Sequence, residues 1–587
     1  MKIGIDFGST YSVVSKFNPT TDNVEAITFA EGEPASIPSV VSISKKGQVT
    51  SGKGAKDQAG KKTVRIFEGF KILLTETNRE MLLKRGYDDT FTPREITRCY
   101  LESTLKGVLT REGGDSFENV VICVPEIWGG GENLTALDGR MILRTILQKE
   151  IGIPVKHVQV VTEPEAASAF FAYNYEKETG KKFNGHLPLI DYGGGTLDIT
   201  LTEVFSNGMG RMEIGYREGG GAGENHPDSA GNGSIGSAGI AYMQAVVTRA
   251  LRDAGILAED EQPDYTAPDF IAAVRDLESQ LKSVERIHDI EDTFAPYGSY
   301  REMKGILDDD LGEDNFFASL EYDGEEVSVT FQQLFRCYQE TIESVLENQI
   351  REINRKVEAH IGDDPCKPEA GVRDDFKIAL VGGFGSFFLV KQQLADIYHL
   401  DPNPAIDLRT KNITADKREQ AISLGAALIS AGKIVLQRTA RYSIGLCTKD
   451  KDGKVNGLYY GIKYHDTIEP GKPYFLLRPG ATEDVPEQRV TWASLYGNVE
   501  SFVIEFSDRM DHGGVMDVKP EILKRLKKLP VEGFWNCGFS LDESDVVSFH
   551  VVPRPIPGFS NEHKGIVIQL DSYSRMFDLS AIREVSI

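Results

Sequence analysis

Leu187-Pro-Leu-Ile-Asp-Tyr-Gly-Gly-Gly-Thr-Leu-Asp-Ile-Thr-Leu-Thr202 sets two strand-like runs around a glycine turn. Leu187 to Ile190 is apolar and bounded by turn residues, while Ile199 to Val204 alternates β-branched with polar side chains. Gly193, Gly194 and Gly195 leave their N–H groups uncovered, and amides aimed into a concavity form an anion site. Asp191 and Asp198 flank that turn, one on each strand. Carboxylates beside a phosphate cradle repel the phosphate unless a divalent cation lies between them, so the pattern implies Mg²⁺. Alone, the stretch is read equally well as an ordinary glycine-rich hairpin with two turn aspartates.

The start of the chain repeats the design. Lys2-Ile-Gly-Ile-Asp-Phe-Gly-Ser-Thr-Tyr-Ser-Val-Val-Ser15 gives an apolar strand, Asp6, a Gly8-Ser9-Thr10 turn and a second strand. Two copies of one unit predict a duplicated α/β domain with a single phosphate site between its halves.

Together, Ile5-Asp-Phe-Gly-Ser-Thr-Tyr-Ser12 and Ile190-Asp-Tyr-Gly-Gly-Gly-Thr-Leu-Asp198 resemble the two phosphate motifs of the actin-like ATPases, in the wording of the DnaK-type, seventy-kilodalton heat-shock chaperones. Val161-Thr-Glu-Pro-Glu-Ala-Ala-Ser168 and Glu419-Gln-Ala-Ile-Ser-Leu-Gly-Ala-Ala427 resemble that family's two connecting helices. Ile378-Ala-Leu-Val-Gly-Gly-Phe-Gly-Ser386 resembles its adenosine motif. The resemblance implies an actin-like, ribonuclease H-like, two-lobed ATPase domain over residues 1–435, with lobes of about 1–186 and 187–435. It further implies ATP/ADP and Mg²⁺ as cofactors.

Site residues follow from the same resemblance. Asp6, Asp191 and Asp198 would order the metal, mostly through water, and Glu163 would join its water shell. Gly8, Ser9, Thr10 and Tyr11 would hold phosphates opposite Gly193, Gly194 and Gly195. Lys71 and Thr196 would steady the γ-phosphate and the attacking water. Glu278, Lys282, Gly382, Gly383 and Ser386 fall where the family contacts adenosine. The plainer readings are a snorkelling lysine for Lys71 and a helix-start carboxylate for Glu163. Pro125 matches the family's relay proline, or simply ends its strand. The chain also departs from the family pattern. Ile72 follows Lys71 in place of a basic residue, and Glu419 stands for an aspartate. Ser386 replaces the arginine that stacks on adenine, with Phe384 and Phe387 beside it as aromatic alternatives.

The remaining stretches predict helices from Thr92 to about Leu109, at 238–254, from Pro268 to about Ile287, and from Thr330 to about Ile361. Residues 436–442 read as a linker, with basic flanks where the family uses acidic ones. From 443 to 587, period-two strands predict an all-β region; Ser443-Ile-Gly-Leu446 and Phe539 to Phe549 resemble strands of the family's peptide-binding domain, which implies a substrate-binding-like domain, without the family's helical lid. That domain would bind an unfolded or extended peptide, or a protein partner. Val518 to Leu529 has a short helical look.

Composition narrows the function classes. With 587 residues, a formal net charge of −24, 40% hydrophobic and 26% charged residues, the chain reads as soluble, of several structural units, and with no general nucleic-acid or anionic-membrane partner. The six scattered cysteines lack ligand spacing and fit reduced thiols in a cytoplasmic protein. Three functions stay open. The first is a slow ATPase chaperone; the others are a small-molecule kinase on the same fold and a nucleotide-binding docking protein with vestigial hydrolysis.

Overall fold

The computed structural model describes residues 1–29, 34–58, 61, 63–76, 78–125, 139–194, 197–206, 212–222, 238–265, 267–305, 311, 315–362, 375–399, 420–440, 443–449, 455–463, 466–477, 489, 499–505, 512–517, 535–544, 546–553, 566–569 and 583–586. It separates into two compact units, one of residues 1–128 and 145–435, the other of 129–144 and 436–587.

The first unit is built on two sheets of matching topology. In the first half lie β1 (Lys2–Phe7), β2 (Tyr11–Asn18), β3 (Asn23–Ala26), β4 (Phe117–Val124) and β5 (Val155–Thr162), in the order β3-β2-β1-β4-β5. In the second half, β6 (Gly185–Tyr192), β7 (Leu197–Ser206), β8 (Met212–Ala222) and β9 (Ala379–Val381) run in the order β8-β7-β6-β9. Each half opens with an antiparallel hairpin whose first strand also pairs in parallel with a later one, β4 or β9. Those first strands are apolar almost throughout, as strands covered on both faces must be.

Helix signals in the sequence set where the chain turns. The helix α1 (Pro93–Glu112) starts on Thr92, whose side chain accepts from Glu95 N–H, and ends on left-handed Gly113. A full capping box of Thr162 and Glu165 opens α2 (Glu163–Thr179). Next come α3 (Gly239–Asp253), α4 (Pro268–Lys282) and α5 (Val284–Phe294). The single helix expected from Pro268 is therefore two. Ser283 takes an extended conformation and caps α5 through Arg286 N–H, a competing use of a serine that helical periodicity hides. The expected long helix to Ile361 forms, but through a π-turn at Gln339–Glu343.

The final helix of the unit, α6 (Ala421–Ala431), returns to the first half and crosses α2. A Cβ on Gly425 would lie 1.7 Å from the Ala166 carbonyl oxygen, and one on Gly4 would lie 2.2 Å from Ala427 N. Small residues thus bring α6 against both α2 and β1. Ser15 of the neighbouring strand β2 and Ser423 of α6 hydrogen-bond at 2.8 Å.

The second unit carries two antiparallel sheets. One runs Val455–Ile462, Ser443–Lys449, Val499–Glu505, His512–Asp517, Arg583–Ser586, and the other Tyr474–Phe475, Trp535–Leu541, Val547–Pro553, Ile566–Gln569. Part of the stretch expected to be a linker is a strand, Ile434–Thr439, whose Arg438 and Thr439 pair with Ile468 and Thr467. Arg144 ion-pairs with Asp542 inside this unit. The expected strand Val490–Tyr496 and the helical segment Val518–Leu529 lie outside the described residues. No helix among the described residues is long and apolar enough to cross a membrane.

Candidate functional site

A cavity of about 460 Å³ opens within the first unit, lined by residues of both halves. Asp6, Gly8, Ser9, Thr10, Tyr11, Lys71 and Glu163 reach it from the first half. The second half contributes Asp191, Gly193, Gly194, Glu278, Lys282, Gly382 and Gly383. Residues as far apart in sequence as Asp6 and Ile422 therefore share one concave wall, because each hairpin presents its turn to it.

Both turns are pinned from behind. Ser39 donates its hydroxyl to the Gly8 carbonyl at 2.7 Å and its N–H to the Thr10 carbonyl at 2.8 Å. At the second turn the first N–H groups of α3 take over: Gly239 N–H donates to Gly193 O at 3.3 Å and Ile240 N–H to Gly194 O at 2.7 Å. These helix-start donors would otherwise lack partners. The two turns also abut, since a Cβ on Gly194 would lie 3.5 Å from the Thr10 hydroxyl. Gly382 must be glycine on two counts: its φ is +82°, and a Cβ would meet Asp191 Oδ1 at 2.4 Å.

Charge concentrates at the centre. Lys71 donates to Glu163 Oε1 at 2.5 Å, and both side chains are buried. Asp191 and Asp198 face each other directly across the β6–β7 ladder, a placement that sets like charges on one face of the sheet. In the first hairpin the position opposite Asp6 is Val13, so the duplication is chemically asymmetric. Burial, and then the Glu163 carboxylate, push Asp6 up to about 7 against the pull of Lys71. Burial followed by Glu163, Asp198 and Asp6 holds Asp191 well above the carboxylate range. Burial disfavours the charged Lys71, but Glu163, Asp6 and Asp191 outweigh it and raise its pKa.

The donor set suits a hydrated divalent ion. Asp6, Glu163, Asp191 and Asp198 outnumber Lys71 in the described surroundings, and burial first, then the neighbouring carboxylates, raises both Asp6 and Asp191. Among the described residues no group of three His, Cys, Asp or Glu side chains could ligate an ion directly. Mg²⁺ gives up its water reluctantly, so a site with few direct protein ligands fits its chemistry.

Away from the turns, Lys282 pairs with Glu278 at 2.7 Å and lies 4.7 Å from the Tyr11 ring centroid. Lys56 donates to the Tyr11 hydroxyl at 2.9 Å. Arg275 of α4 ion-pairs with Glu68, joining the second half to the first. Gly195, Thr196 and Glu419 lie outside the described residues, and of Ser386 only the backbone turn Phe384–Ser386 is described. Sequence reading missed Ser39, Gly239 and Arg275. Ser39 and Arg275 sit in no motif, and Gly239 follows a glycine-rich stretch in which any of several glycines could start the helix.

A family model described as Hsp70 protein matches residues 2–215, the span holding β1, the first turn, Lys71, Glu163 and the second turn. The chain is 24% identical over 429 residues to the chaperone protein DnaK of Thermosipho africanus, which covers 73% of this chain and 58% of that one. These matches support a divergent Hsp70-family member. Among other Hsp70-type relatives, heat shock cognate 70 kDa protein 3 of Dictyostelium discoideum is 26% identical over 227 residues, 34% of this chain and 33% of its own. The DnaK of Nitrosopumilus maritimus is 29% identical over 224 residues, 36% of this chain and 30% of its own. The match spans 58% and 59% of the two Thermosipho DnaK proteins, less than two thirds of either Hsp70.

Proposed function

We propose that the first unit binds Mg²⁺–ATP in this cavity and hydrolyses it slowly, and that its nucleotide state governs binding of an extended peptide or protein partner by the β-rich unit. The observation that carries the reading is the convergence of two backbone-pinned glycine turns on one buried Lys71–Glu163 pair and the facing aspartates. Phosphoryl transfer asks a protein chiefly for positioning and charge stabilisation, and these parts supply both. The turns' N–H groups would cradle the phosphates. Lys71, kept charged by Glu163, would stand over the γ-phosphate and orient the attacking water. Asp191 or Asp198 would accept the water's proton. A bound Mg²⁺ would neutralise phosphate charge, held through water by Asp6, Asp191 and Asp198. The relatives named chaperone protein DnaK support the peptide-binding part.

ATP turnover of the full chain, with and without an unfolded peptide, tests the reading. Asp191→Asn should keep the fold and lose at least about tenfold in turnover, since the charge at the metal shell changes with little change in shape. Wild-type turnover in that variant removes Asp191 from the mechanism. Turnover that responds to a small-molecule acceptor and not to peptide favours a kinase.

A further inference from the structure

Tyr100 stands on α1, fully buried, and its side chain meets three segments that shape the cavity. Its ring packs on Phe7 at 6.0 Å and on Phe70 at 5.4 Å, and those two rings lie 6.0 Å from each other. Phe7 follows Asp6, and Phe70 precedes Lys71, whose Nζ lies 5.9 Å from the Phe7 centroid. The phenol hydroxyl donates to the Ile37 carbonyl at 3.3 Å, and the Ser12, Ser39 and Thr104 hydroxyls also reach it. Ser12 and Ser39 hydrogen-bond at 3.0 Å. Each hydroxyl has one proton to give, and that of Ser39 goes to the Gly8 carbonyl. Ser39 therefore only accepts from its hydroxyl neighbours, so the network runs toward the first phosphate turn.

We propose that Tyr100 is a positioning residue for ATP hydrolysis: its ring fixes Lys71 relative to Asp6, and its hydroxyl fixes Ser39 behind the first phosphate turn. The inference rests on the ATPase reading above and goes beyond it, giving a role to a side chain buried behind the cavity wall. Phosphoryl transfer depends on a narrow geometry of the reacting groups, so a small displacement started far from the chemistry is costly. A phenylalanine would fill the space between Phe7 and Phe70 as well as a tyrosine does. What the phenol adds is the link from that aromatic cluster to the Ile37–Ser39 segment. A buried hydroxyl is costly unless its hydrogen bonds are made, which favours the one arrangement that makes them.

Single-turnover hydrolysis of Mg²⁺–ATP bound to the full chain tests this, because a first-order rate constant does not depend on the fraction of protein that is folded. Tyr100→Phe, which keeps the ring, should slow that rate about fivefold and leave the ADP dissociation constant within about twofold. Ser39→Ala should slow it about tenfold, and adding Tyr100→Phe should slow it no further, since both changes cut one path. Ser12→Ala breaks the same network with every ring in place; it should also slow hydrolysis about fivefold, and stands in should Tyr100→Phe not fold. A wild-type rate constant, even with lowered amplitude, makes the network purely structural and overturns the inference while leaving the ATPase reading intact. So do losses that multiply in the double variant, or an ADP affinity that falls as far as the rate. Nucleotide that the wild type binds and never hydrolyses overturns the ATPase reading and the inference with it.

Discussion

Lys71 and Glu163 stand 92 residues apart and close a buried ion pair at 2.5 Å. Removing one partner of a buried pair leaves an uncompensated charge, which costs far more than removing both. Here the penalty is sharpened by Asp6 and Asp191, whose carboxylates also lean on Lys71. Lys71→Met should therefore destabilise the first unit by about 3 kcal/mol, and adding Glu163→Gln should recover part of that loss. Urea midpoints of the wild type, both single variants and the double variant give the coupling directly; additive effects would show that the two do not act as a pair. At this scale the sequence was legible where a motif carried the residue, as for Asp6, Lys71, Glu163 and Asp191. It was silent where a residue acts from behind. Ser39 pins the first turn through one hydroxyl and one amide, and a serine between a proline and a valine carries no signal of that.

Elements were legible to the extent that their own residues decide them. Both hairpins form where alternation and turn glycines placed them, and the capping boxes mark helix starts. Breaks set by a single competing side chain, such as Ser283, or by packing, such as the π-turn at Gln339–Glu343, leave no periodic trace. The close crossing of α2 and α6 is likewise tertiary, although its small residues stand in plain view. Gly425→Ala should be strongly destabilising, by about 3 kcal/mol or more, because its Cβ has no space against the Ala166 carbonyl. A lowered urea midpoint with unchanged slope is the expected measurement; a wild-type midpoint would mean the helices can separate freely. In the second unit, Ser540 and His550 hydrogen-bond at 2.6 Å between neighbouring strands, and burial lowers the imidazole pKa from 6.5. As pH falls, the unfolded chain takes up the proton first, so stability is full above about pH 6.5 and is lost as pH drops toward the folded pKa. Hydrogen exchange in Trp535–Leu541 should accelerate over that window, beyond the intrinsic rate change, and His550→Gln should abolish the excess.

At the scale of the whole molecule, the cavity is lined from two halves of matching strand order, so a tie between the halves bears on access to it. The Arg275–Glu68 pair is such a tie, since α4 also carries Glu278 and Lys282 into the cavity. Its side chains keep 31% and 32% of their surface exposed, so the pair belongs with solvent-screened bridges worth up to about 1 kcal/mol. That bounds its effect on ligand escape at roughly fivefold. Arg275→Ala should speed release of a bound nucleotide by up to about fivefold at low ionic strength, and the difference should shrink as salt shortens the screening length to about 10 Å at 0.1 M and below. The exchange pair Arg275→Glu with Glu68→Arg restores the attraction and should restore slow release, whereas either reversal alone sets like charges together and should be faster than the alanine variant. Stopped-flow displacement of a fluorescent nucleotide at several salt concentrations reads all four proteins. Release that ignores the sign of the charges would place control of the cavity in the helix crossing of α2 and α6, where a salt series has no purchase.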